Sequence, residues 1–253
     1  MHMEVGHPNL EPAVSREVSR TFARPALSLI LLPLALAVCG GDSADTEPRQ
    51  SVNPLLRPAR FTETAPATFR ARIETSAGEW VIELHREWAP AGVDRFYNLA
   101  KNGFYDDTRV YRVLDGFMAQ FGLNGDPYVN QAWKTQFIVD DPVAQTNSRG
   151  RVTYAKGGLH TRTVEIFVNY RDNPGLDADG FSPIGEVIEG MDVVDAFYAE
   201  YGDGPPRGEG PYPAMAQARG NEYLDEEFPE LTRIIRVTVE EGGGDLMRNG
   251  GFT

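Results

Sequence analysis

The residues that could do chemistry are concentrated in the segment VYRVLDGFMAQFG, residues 110–122. Its single arginine, Arg112, stands among mostly apolar or small residues, and charged side chains are rare in such surroundings unless they are paired or functional. A guanidinium is always charged and holds its N–H donors in one plane, so it can clamp a carboxylate or stabilise an amide whose charge distribution changes. By residue type alone, Arg112 is better explained as a structural clamp.

Side chains for other kinds of chemistry are scarce. The chain has one cysteine, Cys39, and four histidines, so it cannot form an internal disulfide or a cysteine-rich metal site. His85 ends a predicted strand and His160 follows two glycines in a predicted loop, which favours surface positions for both. We therefore expect no metal site and no cofactor.

Composition limits the partners. The 253 residues carry a net charge of -13 with an isoelectric point near 4.8, which does not favour electrostatic binding to nucleic acid. An apolar content of 41% suits a soluble globular protein with a hydrophobic core. We expect a monomer that does not bind nucleic acid.

The N-terminal region has the pattern of a targeting signal. Three arginines precede a run of mostly apolar residues at 26–38, which is short for a membrane span and typical of a signal-peptide core. Cys39 follows directly, as in a bacterial lipoprotein signal, although Val38 departs from the small residue expected before the cysteine. The alternative is an ordinary cleaved signal with an incidental cysteine. We predict a leader over 1–39, export to the cell envelope or periplasm, and attachment to the membrane by a lipid on Cys39.

Composition also divides the rest of the chain. Residues 40–67 contain few large apolar groups, which predicts a flexible tether. The folded domain is predicted over 68–241, and the tail over 242–253 is predicted to be disordered. Residues 202–232 contain a loop rich in proline and glycine and a short acidic helix, which either packs on the domain or docks a partner.

Hydrophobic periodicity predicts many short strands and two helices. Residues 69–84 form two strands around a turn at 76–78, one helix begins at Pro90 and ends before Asn102, and the other covers Met191–Tyr201. The remaining predicted strands are Val110–Leu114, Phe117–Phe121, Arg151–Ala155, Val164–Tyr170, Ile184–Val187 and Ile234–Val239. This pattern favours a closed antiparallel barrel.

Several separated motifs follow one another over residues 69–239. They are FYNLAKNGFYDDT at 96–108, YRV at 111–113, GFMAQ at 116–120, GRVTYAKGG at 150–158, IFV at 166–168 and GEVIEGMDVV at 185–194. In order and spacing they resemble the cyclophilin family of peptidyl-prolyl isomerases. The resemblance implies a mainly β fold, a closed eight-stranded antiparallel barrel capped by two α-helices, with a shallow proline-binding groove on its outer face.

The resemblance also implies roles for single residues. Arg112 falls on the family's catalytic arginine, and Phe117, Met118 and Phe167 fall on its hydrophobic proline pocket. The other residues expected to bind substrate are Tyr111, Gln120, Ala155, Lys156, Glu165, Leu176 and Phe181. The implied activity is rotation about X-Pro bonds in proline-containing protein segments, assisting the folding of exported proteins.

Several of these residues depart from the family pattern, among them Phe181, which takes the place of a histidine. Tyr111 replaces a histidine, Lys156 an asparagine and Glu165 a glutamine. We expect the Glu165 carboxylate to hold Arg112 by a charge-assisted hydrogen bond and Lys156 to draw that carboxylate away. The alternative function is a catalytically weak or inactive module that binds proline-containing peptides in the same groove.

Overall fold

The computed structural model describes residues 53–240, which lie within one compact unit of the chain. The predicted leader with Cys39 and the predicted tail over 242–253 lie outside these residues. Within 53–240, no helix is both long enough and apolar enough to cross a membrane. The described part of the chain has a mainly β fold, as the sequence predicts.

Nine antiparallel strands form one strongly curled sheet. They are β1 (Thr68–Thr75), β2 (Gly78–His85), β3 (Thr108–Arg109), β4 (Arg112–Leu114), β5 (Met118–Phe121), β6 (Arg151–Tyr154), β7 (Ile166–Asn169), β8 (Pro183–Glu189) and β9 (Arg233–Glu240). Hydrogen-bonded neighbours follow the order β3-β9-β1-β2-β8-β6-β7-β5-β4. Every predicted strand is present, with its ends shifted by at most a few residues.

The prediction of a closed eight-stranded barrel is wrong. The sheet is open, because its edge strands β3 and β4 pair with β9 and β5 and not with each other. Only Val110 and Tyr111 separate the two edge strands along the chain. The predicted strand Val110–Leu114 corresponds to β4 alone, and the short strand β3 is not predicted from the sequence.

The described residues contain six α-helices, where the sequence predicts two by periodicity and a short acidic helix within 202–232. They are α1 (Pro90–Lys101), α2 (Pro127–Trp133), α3 (Gly175–Ala178), α4 (Met191–Asp195), α5 (Pro213–Arg219) and α6 (Asn221–Glu227), together with 3₁₀ helices at Pro54–Leu56 and Pro58–Arg60. The first predicted helix is confirmed as α1. Its apolar face joins the main core, where the Phe96 and Tyr105 rings stack at 5.4 Å.

The helix predicted over Met191–Tyr201 is much shorter than expected. It ends at Asp195, and the N–H of Tyr198 donates to the hydroxyl of Thr232 at 3.0 Å instead of to a helical carbonyl. Thr232 is distant in sequence, so local periodicity could not indicate this ending. Phe197 is still buried in the core, as the apolar pattern requires.

The described part of the predicted tether, residues 53–67, is packed against the domain. Leu55 is buried, and its carbonyl accepts a hydrogen bond from the Trp133 indole at 2.8 Å. The N–H of Ala65 donates to Asp94 at 2.9 Å. The predicted flexible tether is therefore wrong over 53–67. One buried leucine and long-range hydrogen bonds hold this segment, and it has no periodic apolar face that its sequence could reveal.

Residues 202–232, which we call the insert, form a loop followed by α5 and α6. The insert covers a second hydrophobic cluster, composed of Tyr111, Leu123, Ala216, Tyr223, Leu224, Phe228 and Leu231. This arrangement agrees with the packing alternative for the insert. One member of this cluster, Tyr111, directly precedes Arg112 in the chain.

Candidate active site

The strand register brings the candidate catalytic residues together. Arg112 on β4 lies opposite Gln120 on β5, and Gln120 lies opposite Phe167 on β7. Side chains opposite each other on neighbouring strands point to the same face of the sheet. The arginine, the amide and the aromatic ring therefore line up across three strands.

These side chains border a cavity of about 340 Å³. Its lining consists of Arg112, Phe117, Met118, Gln120, Ala155, Lys156, Gly157, Thr161, Thr163, Glu165, Phe167, Leu176 and Phe181. Met118 and Phe167 are almost fully buried, so they offer an apolar floor. Apart from Tyr111, every described residue that the sequence assigns to the site lines this cavity.

A hydrogen-bond network around Asp177, a residue of α3, supports the wall of the cavity that Phe181 forms. The Asp177 carboxylate accepts hydrogen bonds from the backbone and side-chain amides of Asn147, at 2.9 and 2.7 Å. The same Asn147 side chain donates to the Phe181 carbonyl at 2.8 Å. Phe181 meets the Phe167 ring edge to face at 6.0 Å, so the network fixes one wall of the cavity against its floor.

Arg112 is paired with Asp203, a residue of the insert that sequence reasoning missed. The guanidinium Nε donates to Oδ1 at 2.8 Å and Nη2 donates to Oδ2 at 3.2 Å. Nη1 donates to the Gln120 side-chain oxygen at 3.1 Å. Hydrogen bonds and charge from Arg112, with a further charge from Arg207, hold the pKa of the Asp203 carboxyl below its usual range despite partial burial.

Tyr111 is the one described residue of the predicted site that does not line the cavity. Its side chain is buried beneath the site, where the hydroxyl donates to the Glu165 carboxylate. Burial and the Glu165 charge raise the pKa of the Tyr111 hydroxyl well above its usual range, so the hydroxyl keeps its proton. The Gln120 side-chain nitrogen donates both to the Tyr111 oxygen, at 2.6 Å, and to Glu165, at 2.8 Å.

The expected arrangement of Glu165, Lys156 and Arg112 is wrong. Glu165 accepts from Tyr111 and Gln120, whereas Asp203 takes the place beside Arg112. Lys156 does line the cavity, but its ammonium group donates to Asp140 at 2.9 Å and to the Gly180 carbonyl at 2.8 Å. Its amine lies 5.1 Å from the centre of the Phe181 ring. Lys156 therefore supports the cavity wall at Phe181 and does not pair with Glu165.

Sequence reasoning also missed three small residues of the lining, Gly157, Thr161 and Thr163. They belong to the connection between β6 and β7, and no pattern marked them beyond their position next to Lys156 and Glu165. Asp203 carried a weak signal, since an acidic residue between Gly202 and Gly204 is typical of a tight turn. Nothing in that signal points to Arg112, which lies 91 positions earlier in the sequence.

Metal ligands are not grouped in the part of the chain that the structure covers. No cluster of three or more His, Cys, Asp or Glu side chains within 53–240 has the geometry to hold a metal ion. The cavity itself brings together a fixed guanidinium, a polar network and an apolar socket. Together these groups can bind an apolar ring beside a polarised amide.

Comparison with known proteins identifies the fold and the family. Residues 70–211, more than half of the chain, match the family model "Cyclophilin type peptidyl-prolyl cis-trans isomerase/CLD". Peptidyl-prolyl cis-trans isomerase B of Escherichia coli is 33% identical over 129 residues, which cover 48% of this chain and 79% of that protein. A peptidyl-prolyl cis-trans isomerase of Acinetobacter baylyi is 32% identical over 136 residues, covering 52% of this chain and 72% of the relative.

Other relatives are much longer than the matched region. The peptidyl-prolyl cis-trans isomerase-like 2 of Gibberella zeae is 32% identical over 147 residues, and the match spans 55% of this chain but 24% of that protein. A crystal structure of a Cryptosporidium parvum cyclophilin type peptidyl-prolyl cis-trans isomerase has the same fold, with a TM-score of 0.52 and 18% identity. That match covers 69% of this chain and 99% of the other. The chain belongs to the cyclophilin-type peptidyl-prolyl cis-trans isomerase family.

Proposed function

We propose that this chain catalyses cis-trans isomerisation of X-Pro peptide bonds, with Arg112 as its catalytic residue. The observation that carries the proposal is the placement of the Arg112 guanidinium at a cavity whose floor is formed by Met118 and Phe167. A structure of the Cryptosporidium parvum relative was determined in the presence of the dipeptide Ala-Pro, which supports a proline-containing ligand for this fold.

The geometry suits the physical problem of rotating a prolyl amide. Partial double-bond character in the C–N bond gives a barrier of about 20 kcal/mol. Rotation breaks this conjugation and leaves a lone pair on the prolyl nitrogen, while the carbonyl oxygen turns out of the amide plane. A fixed guanidinium that binds the twisted amide more strongly than the planar one lowers the barrier.

The apolar floor completes the mechanism. A proline ring seated on Met118 and Phe167 loses contact with water, and one side of the rotating bond is then held still. The other side of the bond turns near Arg112. No covalent intermediate forms, because only a torsion angle changes.

Replacement of Arg112 tests the proposed function. We expect Arg112→Ala to lower kcat/KM for a proline-containing tetrapeptide about a hundredfold, as for loss of one main charge-stabilising donor. Arg112→Lys keeps the charge without the planar donor pair and should recover little activity. The exposed Arg149→Ala is the matched control, since Arg149 pairs with Asp195 and does not line the cavity.

Two outcomes would contradict isomerisation by this site. An Arg112→Ala variant that is folded and keeps near-normal kcat/KM would remove the catalytic role of Arg112. A wild-type chain that binds proline-containing peptides in titration but does not accelerate their isomerisation would favour the alternative, a non-catalytic binding module.

We further propose that the chain is a bacterial, exported, monomeric lipoprotein that acts on folding proteins in the cell envelope. Support comes from the basic flank, the apolar run at 26–38 and the position of Cys39 directly after it. One lipid chain with a second acyl group on the modified N-terminus would give stable membrane attachment. Labelled fatty acid should enter the wild type and not Cys39→Ser, and an unlipidated mature protein would contradict the proposal.

A further inference from the structure

We infer that Asp203 is a positioning residue for the isomerisation, and that the insert thereby contributes this one residue to the active site. The inference rests on the proposed function and concerns how the catalytic arginine is held. It starts from the paired hydrogen bonds between the Arg112 guanidinium and the Asp203 carboxylate.

The pairing uses one edge of the guanidinium. Of the five N–H groups that an arginine carries, the one on Nε and one on Nη2 face Asp203. One N–H of Nη1 donates to Gln120, and Nη1 also lies 3.9 Å from the Met118 sulfur, a weak acceptor. Nη2 therefore keeps one N–H that none of these contacts uses, and this donor remains for a prolyl amide in the cavity.

The pair is shielded, so its geometry is restrained. The Arg112 and Asp203 side chains are each 16% exposed, whereas Arg207, the other partner of Asp203, is 74% exposed. Paired hydrogen bonds between charged groups fix direction as well as distance, and they are stronger away from bulk water. The contact therefore restricts rotation of the guanidinium plane, and Gln120 restrains it from the opposite side.

The insert holds the Asp203 carboxylate in a tight loop. The Asp203 carbonyl accepts from the N–H of Gly210 at 2.9 Å, and the Gly204 N–H donates to the carboxylate at 3.0 Å. A Cβ at Gly208 would lie 2.3 Å from the Asp203 carbonyl oxygen, and one at Gly204 would lie 2.4 Å from the Pro211 carbonyl oxygen. Such close backbone packing leaves room for glycine alone at both positions.

The loop is in turn attached to the second hydrophobic cluster. Tyr201, two residues before Asp203, packs against this cluster, and its ring meets that of Phe228 at 5.1 Å. At the other end of the loop, the N–H of Tyr212 donates to the Tyr223 hydroxyl at 3.1 Å. Asp203 is thus supported by packing, as a residue that fixes a catalytic group must be.

The expected kinetic signature follows from this arrangement. A donor that acts on the twisted amide affects the rate of rotation more than the binding of the planar substrate. In Asp203→Ala, we expect kcat to fall about tenfold while KM stays within about twofold, because the guanidinium is present but no longer fixed. Asp203→Asn keeps one accepting oxygen and should lose about threefold in kcat.

The experiment measures kcat and KM on a proline-containing tetrapeptide together with the NMR signal of the Arg112 Nε–H, assigned by its loss in Arg112→Lys. In the wild type this proton should exchange slowly with water, and in Asp203→Ala its signal should be lost. Arg207→Ala is the matched control, since it removes a charge that touches Asp203 and leaves the Arg112 contact in place. It should change neither kcat nor the signal.

Several results would overturn the inference. They are an unchanged or increased kcat in folded Asp203→Ala, a change confined to KM, and an equal loss of kcat in Arg207→Ala. If Asp203→Ala does not fold, wild-type kcat together with a retained Nε–H signal in Asp203→Asn overturns it as well. A wild-type chain without activity refutes the proposed function and this inference with it, whereas an active wild type with an unaffected Asp203→Ala refutes the inference alone.

Discussion

At the level of single residues, the Glu165 carboxylate determines which way the Gln120 amide points. A carboxylate only accepts hydrogen bonds, so the amide must turn its NH₂ group toward Glu165. Its oxygen then faces the guanidinium of Arg112. The buried Tyr111 hydroxyl donates to the same carboxylate and keeps it in place. Glu165 thus acts on Arg112 through Gln120, without touching it.

Replacements of Glu165 separate its charge from its accepting oxygens. Gln can accept the same two hydrogen bonds through its side-chain oxygen, so Glu165→Gln should keep kcat/KM within about twofold of the wild type. Glu165→Leu leaves the Tyr111 hydroxyl and the Gln120 amide without this acceptor. We expect a loss of about 1–3 kcal/mol in the free energy of unfolding, as for a buried polar group that loses its partner, together with lower kcat/KM.

Urea unfolding and the tetrapeptide assay on both variants provide the measurement. A large change in kcat/KM in Glu165→Gln would show that the charge of Glu165, rather than its accepting oxygens, matters to the site. An unchanged stability in Glu165→Leu would show that Tyr111 and Gln120 find other partners.

Most of the site residues that the sequence could predict lie inside short motifs, and Glu165, Leu176 and Phe181 lie between them. Arg112, Met118 and Gln120 fall within nine residues, and the register of β4 and β5 places them together. Asp203 could not be found in this way, because its contact with Arg112 depends on how the insert folds. Neither the glycines beside it nor its charge specifies a partner 91 residues away.

At the level of secondary structure elements, α1 depends on a cap from outside its own sequence. Ala89 precedes the helix and has no side chain that accepts a hydrogen bond. Instead, the Asp141 carboxylate accepts from the N–H groups of Ala91 and Gly92, each at 2.9 Å. It also lies 3.0 Å from a guanidinium nitrogen of Arg162, which is almost completely buried. A negative charge at this end of a helix also interacts favourably with the helix dipole.

Substitution of Asp141 should therefore cost more than substitution of an ordinary cap. In Asp141→Asn, one of the two N–H groups faces an NH₂ group, and Arg162 keeps only the Asp140 carboxylate, which lies 3.1 Å from its Nε. We expect the free energy of unfolding in urea to fall by about 1–2 kcal/mol. Asp126→Asn is the matched control, because Asp126 caps α2 locally and asparagine caps almost as well. Equal stabilities for the two variants would contradict the role given to Asp141.

The helices also show what sequence can and cannot indicate. Pro90 and the Asn102-Gly103 pair mark the two ends of α1, and both marks are correct to within a residue. The signal for α2 was present in Asp126 followed by proline, but α2 has only seven residues and little periodicity. The early end of α4 depends on Thr232 and has no local signal.

At the level of the whole molecule, acid should weaken the fold through a few paired carboxylates. Hydrogen bonds from Arg112 and Arg109 lower the pKa of Asp203 and Asp225, respectively, although partial burial opposes both shifts. A carboxyl whose pKa is lower in the folded state contributes stability above its unfolded pKa, about 3.9 for aspartate. That contribution is lost as the pH falls through the folded-state pKa.

We therefore expect the melting temperature to change little between about pH 8 and pH 5 and to fall below about pH 4. Thermal unfolding of the wild type and Asp203→Asn over this range isolates one carboxyl. The difference in stability between the two proteins should shrink as the pH falls, because a protonated Asp203 no longer binds Arg112 as an anion. A difference that stays constant down to pH 3 would contradict the linkage.

The position of β9 has a consequence for the newly synthesised chain. β9 is the last strand of the described residues, yet it lies between β1 and β3, and Glu240 pairs with Arg70. While the ribosome still holds residues 233–240, the edge of β1 has no partner and can pair with a foreign strand. Contacts between residues so distant in sequence also form slowly. A nascent chain therefore stays vulnerable to aggregation until β9 has left the ribosome and paired with β1, and a holding chaperone that binds the chain in this interval should raise its yield.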